Sequence, residues 1–401
     1  AACFFVPLAA FALIPTADAS DFCKTFREKI IVKKNCFLLM AATVLLVSGC
    51  SARRPLAHSD ILQQYERPAV SLSIPQEKIT VAVSPVRQTL QIGGTMTAVL
   101  GAGISALQDG HYARRIEEVL GEYDFGKVLA DRLTAALEQV FPSPAKAIGA
   151  PGSTAGFHSI QAARKARLQG LQKRGFDAVL DLESLYGIYG AEGLLAIRLK
   201  GELIDLKTGN RLWRNDITAY TLDLYEGRRW RDPMERLSPN LMSPRFSSDR
   251  DAVEQWLRND GEALRRAFEL AAAQLAEAFL CDLGAGESAG GYALLGTNAF
   301  LDGKYEASLS YFRRARALAP EDPAIANGLV LALFHTGARE QALSLAESAL
   351  ATAPDYLPLC YNLAWWYGVV LKQPEPGQRY YDQSLSLGAH PARRLKRAFM
   401  H

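Results

Sequence analysis

The chain has 401 residues, with 45 Lys+Arg against 42 Asp+Glu and a formal net charge of +3. Such a balance gives no basic field for a nucleic-acid partner, and the length suffices for two domains or for one with a helical extension. Residues 32–50, VKKNCFLLMAATVLLVSGC, place two lysines before an apolar run from Cys36 to Val47, then small residues and Cys50. This order predicts a secretory signal, because about a dozen apolar residues are too few to span a bilayer stably. Residues 1–49 then form a precursor region whose functional start is Val32. A rival reading takes Phe4 to Pro15 as the apolar core and Ala17-Asp18-Ala19 as the cleavage site, without a basic residue ahead of it. Removing residues 1–49 takes away five of the 45 Lys+Arg and three of the 42 Asp+Glu, leaving 40 against 39.

Val47-Ser48-Gly49-Cys50 resembles the lipobox of bacterial lipoproteins. The resemblance implies diacylglycerol on the Cys50 sulfur, cleavage before Cys50 and acylation of the new amino terminus, with no other cofactor. Lipoproteins with Asp after the lipidated Cys stay in the inner membrane; Ser51 therefore implies the periplasmic face of the outer membrane. Two or three acyl chains anchor stably, at about 0.8 kcal/mol per buried methylene. Of the other cysteines, Cys3, Cys23 and Cys36 leave with the precursor. Cys281 and Cys360 remain, as a disulfide or as two separate buried thiols.

Residues 50–76, polar and holding Pro55, Pro68 and Pro75, are expected to be an extended lipidated tether. Lys78 to Val86 alternates apolar positions and predicts a strand that opens an α/β domain over 77–248. Thr89 to Gly110 is glycine-rich and uncharged up to Asp109; a loop leading into a helix, or a self-packing or membrane-inserting segment, both fit. Tyr112 to Phe141 has helical apolar spacing, Ser143 to Phe157 is a Pro/Gly loop, and 159–173 is a basic helix with a solvated face or an anion site. Three strands follow, at Phe176 to Tyr189, Leu194 to Leu206 and Arg211 to Leu222. In the second, Leu195, Ile197, Leu199 and Leu203 point one way while Arg198, Lys200 and Glu202 point the other. Lys207-Thr208-Gly209-Asn210 joins the last two as a tight hairpin. The succession of strand, helix, FDAVLDLE and GELIDLKTGNRLWR over residues 77–220 resembles the α/β periplasmic domain of the curli-secretion channel lipoprotein and of the outer-membrane activators of penicillin-binding proteins. The likeness rests on element order and the hairpin and carries over no functional residue.

Asp223 to Ser248, rich in Arg and Pro, is either a binding loop or a packed connection. Residues 249–283 predict one long linking helix. From Gly290 the chain repeats every 34 residues: Tyr292, Leu295, Gly296, Ala299, Gly303, Tyr305, Ser308, Phe312, Ala315 and Pro320, then Leu329, Gly337, Ala342, Ala349 and Pro354. A third unit, Leu357 to Gly388, inserts a residue and is broken by Pro374 and Pro376. These residues resemble tetratricopeptide repeats over 290–388, with 389–401 as a carboxy-terminal cap. The resemblance implies a groove lined by the first helices, at Thr297, Phe300, Asn327, Leu331, Phe334, Tyr361 and Trp365, that takes a protein or peptide partner. The cap or the long helix filling that groove is the competing expectation.

Catalytic signatures are weak. The histidines at 58, 111, 158, 335, 390 and 401 are scattered, and neither HExxH nor CxxC occurs, so no metal site is predicted. Gly152-Ser153-Thr154-Ala155-Gly156 offers Thr where a nucleophile elbow needs Ser. Asp177, Asp181 and Glu183 share a strand face, as solvated carboxylates or as an acid pair or cation site. The expected fold is α+β, a mixed α/β sandwich followed by an all-α repeat array. The expected function is a non-catalytic envelope adapter without nucleic acid. A self-assembling homo-oligomer or secretion component, and a regulator of a cell-wall synthase, are the other readings.

Overall fold

The computed structural model describes residues 59–83, 109–121, 123–149, 157–190, 193–221, 223–226, 249–389 and 391–399. The lipobox through Cys50, nearly all of the glycine-rich stretch and the Gly152–Gly156 motif lie outside the described residues.

Part of the expected 50–76 tether is folded into the body. A 3-10 turn at Ser59–Gln64 precedes β1 (Pro68–Ser73), and β2 (Thr80–Ala82) follows. Leu62 and Tyr65 are 2% exposed, and Val70 joins the same core. Pro68 and Pro75 flank an inner strand instead of stiffening a spacer; Pro68, as the first strand residue, does so without interrupting the ladder.

Residues 109–120 are helical (α1), and the buried Asp109 carboxylate accepts from the Val83 amide at 3.0 Å. The single helix expected over Tyr112 to Phe141 is two. Gly121, at φ +55°, closes α1, and Asp124 caps α2 (Phe125–Leu137) by accepting from the Lys127 amide at 2.8 Å. β3 (Lys146–Ala147), α3 (Phe157–Lys173), β4 (Ala178–Tyr189), β5 (Leu194–Asp205) and β6 (Arg211–Tyr220) complete the unit.

The sheet runs β3-β1-β4-β5-β6. β3, β1 and β4 run parallel to one another, and the two hairpins β4–β5 and β5–β6 are antiparallel. β1 and β2 share one edge of β4, pairing with Ala178–Glu183 and Gly187–Tyr189 respectively. The side chain of Gln76 bridges the gap: its Nε2 donates to the Tyr186 carbonyl at 2.9 Å, and its Oε1 accepts from the Tyr186 amide at 2.6 Å. A primary amide thereby stands in for a missing strand residue, and the backbone of β4 stays paired.

Alternation on β5 is as the sequence predicts. Leu195, Ile197, Leu199 and Leu203 are at most 1% exposed, on the face covered by α2 and by α4 (Asp249–Leu283). The opposite face meets α3, where Leu171 packs with Ala69, Phe176, Val179, Ile204 and Leu206. The basic face of α3 is partly ion-paired instead of simply solvated. Arg167 grips Asp181 through two bonds of 2.6 and 2.7 Å, and Arg164 reaches Glu202 at 2.6 Å. At the second hairpin, Asp205 Oδ1 accepts from the amides of Lys207 and Thr208, and Gly209 supplies φ +73°.

α4 is not an unbroken strut. Arg258–Gly261 leave helical geometry, with Asn259, Asp260 and Gly261 all at positive φ. Nor is α4 merely a linker, because its apolar residues have two audiences: Phe268 packs edge-on to Phe125 and Tyr186, and Phe279 edge-on to Trp213. Its carboxy-terminal half also packs on α5 (Ala289–Leu301). Tyr292, Leu294, Leu295, Ala315 and Ile325 consequently belong to the same core as the sheet. The first repeat is therefore continuous in packing with the α/β body.

The array continues with α6 (Tyr305–Leu318), α7 (Pro323–His335), α8 (Arg339–Thr352), α9 (Leu357–Trp365) and α10 (Pro374–Ser386). First helices begin 34 residues apart, at Ala289, Pro323 and Leu357; second helices begin at Tyr305, Arg339 and Pro374, which is 34 and then 35. The extra residue is absorbed by a π turn, Trp366–Val370, with Lys372 at φ +56°. Pro374 and Pro376 do not break the repeat: they sit in the first turn of α10, where a missing N–H costs nothing. α11 (Arg393–Phe399) caps the end, its Phe399 ring filling the notch left by Gly368 and Gly377.

Candidate functional site: the first-helix face of the array

In the apolar helices α5, α7 and α9 three asparagines stand out, since a buried amide needs partners. Asn298 faces the edge strand β6. Its Oδ1 accepts from the Thr218 amide at 2.9 Å, and its Nδ2 donates to the Thr218 carbonyl at 2.8 Å. Asn327 and Asn362 are 2% and 0% exposed. Both donate to one carbonyl, that of Leu224, at 2.9 and 3.1 Å. Asn362 Nδ2 also donates to Asn327 Oδ1 at 2.8 Å, while Asn362 Oδ1 accepts from the Glu226 amide at 2.7 Å.

The face is therefore occupied by the chain's own residues Asp223–Glu226, DLYE, which follow β6. Leu224 and Tyr225 are buried within the core of the array, and the Tyr225 ring meets Tyr361 edge-on with centroids 5.4 Å apart. Asp223 accepts from the Tyr356 hydroxyl at 3.4 Å. Glu226 Oε1 is held between His335 Nε2 at 2.8 Å and Trp366 Nε1 at 2.9 Å. Tyr305 stacks on His335, and Phe334 stacks on Trp366 with centroids 4.3 Å apart, so both donors are fixed in orientation. The arrangement grips a main chain through amides and reads a carboxylate through two oriented ring N–H groups.

Of the predicted groove residues, Asn327 and Tyr361 touch this segment. Phe334 acts through its stack with Trp366, and Phe300 packs against His335. Leu331 is buried in the same core as Leu224 and Tyr225, and Thr297 is half-buried. Trp365 faces the cap, under Arg394 at 5.5 Å; its neighbour Trp366 takes the groove position. Asn298, His335, Tyr356, Asn362 and Trp366 join the site without belonging to the groove set that the repeat spacing predicts. The signal for the asparagines was present: Asn327 in PAIANGLVLALFH and Asn362 in LPLCYNLAW are amides amid apolar residues. Neither the cap nor α4 fills the face; part of the Asp223 to Ser248 connection does, and its residues 227–248 lie outside the described ones.

Residues 299–364 match the tetratricopeptide repeat family. The tetratricopeptide match covers the middle of the array, and the helix spacing places a further repeat half on either side. No curated protein matches the chain. Among solved structures, a PelC variant dodecamer from Paraburkholderia phytofirmans is 13% identical, covering 59% of this chain and 96% of that one, with a TM-score of 0.22. A second PelC dodecamer from the same organism is 15% identical, covering 42% and 77%, with a TM-score of 0.18. These scores are too low to carry a fold assignment.

Of the three carboxylates at and just before β4, two are engaged within the body and one is exposed. Asp177 accepts from the Glu66 and Arg67 amides at 2.8 and 3.1 Å, Asp181 is paired with Arg167, and Glu183 is exposed. Among the described residues, no group of three or more His, Cys, Asp or Glu could hold a metal ion, and no helix is long and apolar enough to cross a membrane.

Cys281 and Cys360 are separate buried thiols, not a disulfide. Cys281 sits against Gly291 at the α4–α5 contact, and Cys360 lies in α9, in a different core. Burial pushes both thiols up, Cys360 to about 11. A raised thiol is protonated at about pH 8 and unreactive. Peptide mapping after treatment with a thiol reagent should find both residues unlabelled in the folded protein and labelled in guanidinium chloride; rapid labelling of the folded protein would contradict this placement.

Proposed function

We propose that the protein is a non-catalytic scaffold of the bacterial envelope, held by lipid on Cys50 at the periplasmic face of the outer membrane, with the tetratricopeptide array as its interaction module. The observation that carries the reading is the paired Asn327 and Asn362, which grip the main chain of another segment at the Leu224 carbonyl and the Glu226 amide, as a peptide-recognising face requires. The lipobox residues Val47, Ser48 and Gly49 support the anchor. The α/β body, continuous in packing with the first repeat, serves as a rigid platform.

The test uses the whole lipidated chain, with a photoreactive residue at Leu318 or Val370, exposed apolar side chains of the array at 50% and 39%. Irradiated envelopes should yield an adduct with one other protein from these positions, and none from a control position at Lys165. Adducts of the protein only with itself would replace the scaffold by self-assembly. Cys50→Ser should move the protein from the membrane to the soluble fraction; persistence in the membrane would refute the lipid anchor.

A further inference from the structure

Two different kinds of contact hold the Asp223–Glu226 segment, and together they define a ligand. Main-chain contacts, to the Leu224 carbonyl and the Glu226 amide, hold the backbone whatever its side chains. Side-chain contacts select: the buried Leu224, the Tyr225 ring against Tyr361, and the Glu226 carboxylate between His335 and Trp366. Asn298 meanwhile binds β6 at Thr218, five residues before Asp223, so the segment is delivered to its site by a strand already pinned to the array.

We infer that Asp223–Glu226 is a resident self-ligand that keeps the face closed, and that a partner peptide presenting an aliphatic residue, a tyrosine and a carboxylate in succession takes its place. This rests on the interaction reading above and specifies the ligand and its regulation. A segment tethered in the same chain competes at a high effective concentration, so a free peptide is held off until the resident is released. The device makes the array selective: a peptide lacking the carboxylate leaves the two ring donors without a partner and cannot outcompete the resident.

The experiment takes the full chain with Leu224→Gly, Tyr225→Ser and Glu226→Gly, and measures anisotropy of a labelled synthetic peptide with the sequence of residues 220–228. The opened variant should bind at least roughly ten-fold more tightly than the wild type. Adding Asn362→Ala to it, or replacing the peptide's glutamate by glutamine, should weaken binding several-fold. An opened variant with a cooperative melt that fails to bind, or that binds no better than wild type, overturns the inference. If the triple variant does not fold, Glu226→Ala alone serves, and must still bind the peptide more tightly than wild type. Photoadducts to another protein together with an opened face that ignores the peptide would remove the self-ligand and leave the scaffold standing; peptide binding without any such adduct would do the reverse.

Discussion

Trp213→Ala lowers the stability of the chain by about 3–5 kcal/mol, the range for removing a large buried aromatic side chain. Trp213 is 0% exposed, and it joins three elements. Its ring lies over Gly201, where a Cβ would come within 2.6 Å of it, and meets Phe279 of α4 edge-on. Its Nε1 donates to Asp282 Oδ2 at 2.7 Å, an oxygen that also accepts from Asn215 Nδ2 at 2.7 Å. Truncation empties the space between sheet and helix and takes one donor from a carboxylate at the α4 carboxy terminus. Trp213→Phe keeps much of the volume and loses mainly that bond, so it should cost about 1–3 kcal/mol. Urea titration followed by circular dichroism measures both; an unchanged midpoint for Trp213→Ala would mean that this contact does not hold the sheet to α4.

Gly328→Ala should be destabilising by about 1–3 kcal/mol, although alanine is the better helix former by up to about 1 kcal/mol. The Phe312 ring lies between two glycines. A Cβ at Gly328 would stand 2.2 Å from Phe312 Cε1 and Cζ, and one at Gly296 would stand 3.0 Å from the other side of the ring. Phe312 is 2% exposed, so the ring cannot retreat from one glycine without meeting the other helix. The decisive readout is a double-mutant cycle with Phe312→Leu. The smaller side chain creates a cavity in the wild type but makes room in the Gly328→Ala background, so the double variant should be less destabilised than the sum of the singles. Additive effects would refute the steric account. Because the first repeat shares a core with the sheet, the melt should shift as a whole.

If the Asp223–Glu226 segment is released, the array keeps, among the described residues, the Asn298–Thr218 bridge and the α4–α5 contact to the α/β body.

Periodicity in the sequence determined the three strands of the double hairpin, the helical character of residues 249–283 though not their break at Arg258–Gly261, and the helical repeat with its irregular third unit. These follow from rules that act within one element: alternation on a pleated strand, 3.6-residue spacing on a helix, and small residues where paired helices cross. Asn259-Asp260-Gly261 inside α4 and Gly121 within the expected single helix were local breakers that the apolar pattern overrode. Tertiary structure alone decided the rest. Pro68–Ser73 has the composition of a spacer, and becomes an inner strand only because β3 and β4 supply partners on both sides. Gln76 reads as a polar loop residue until the gap on β4 is seen. The groove residues Asn327 and Asn362 could be suspected as amides in apolar helices, but their partners, Leu224 and Glu226, lie more than a hundred residues away. A concave-face position can be assigned from a repeat; what fills it depends on where another segment of the chain ends, and no local rule encodes that.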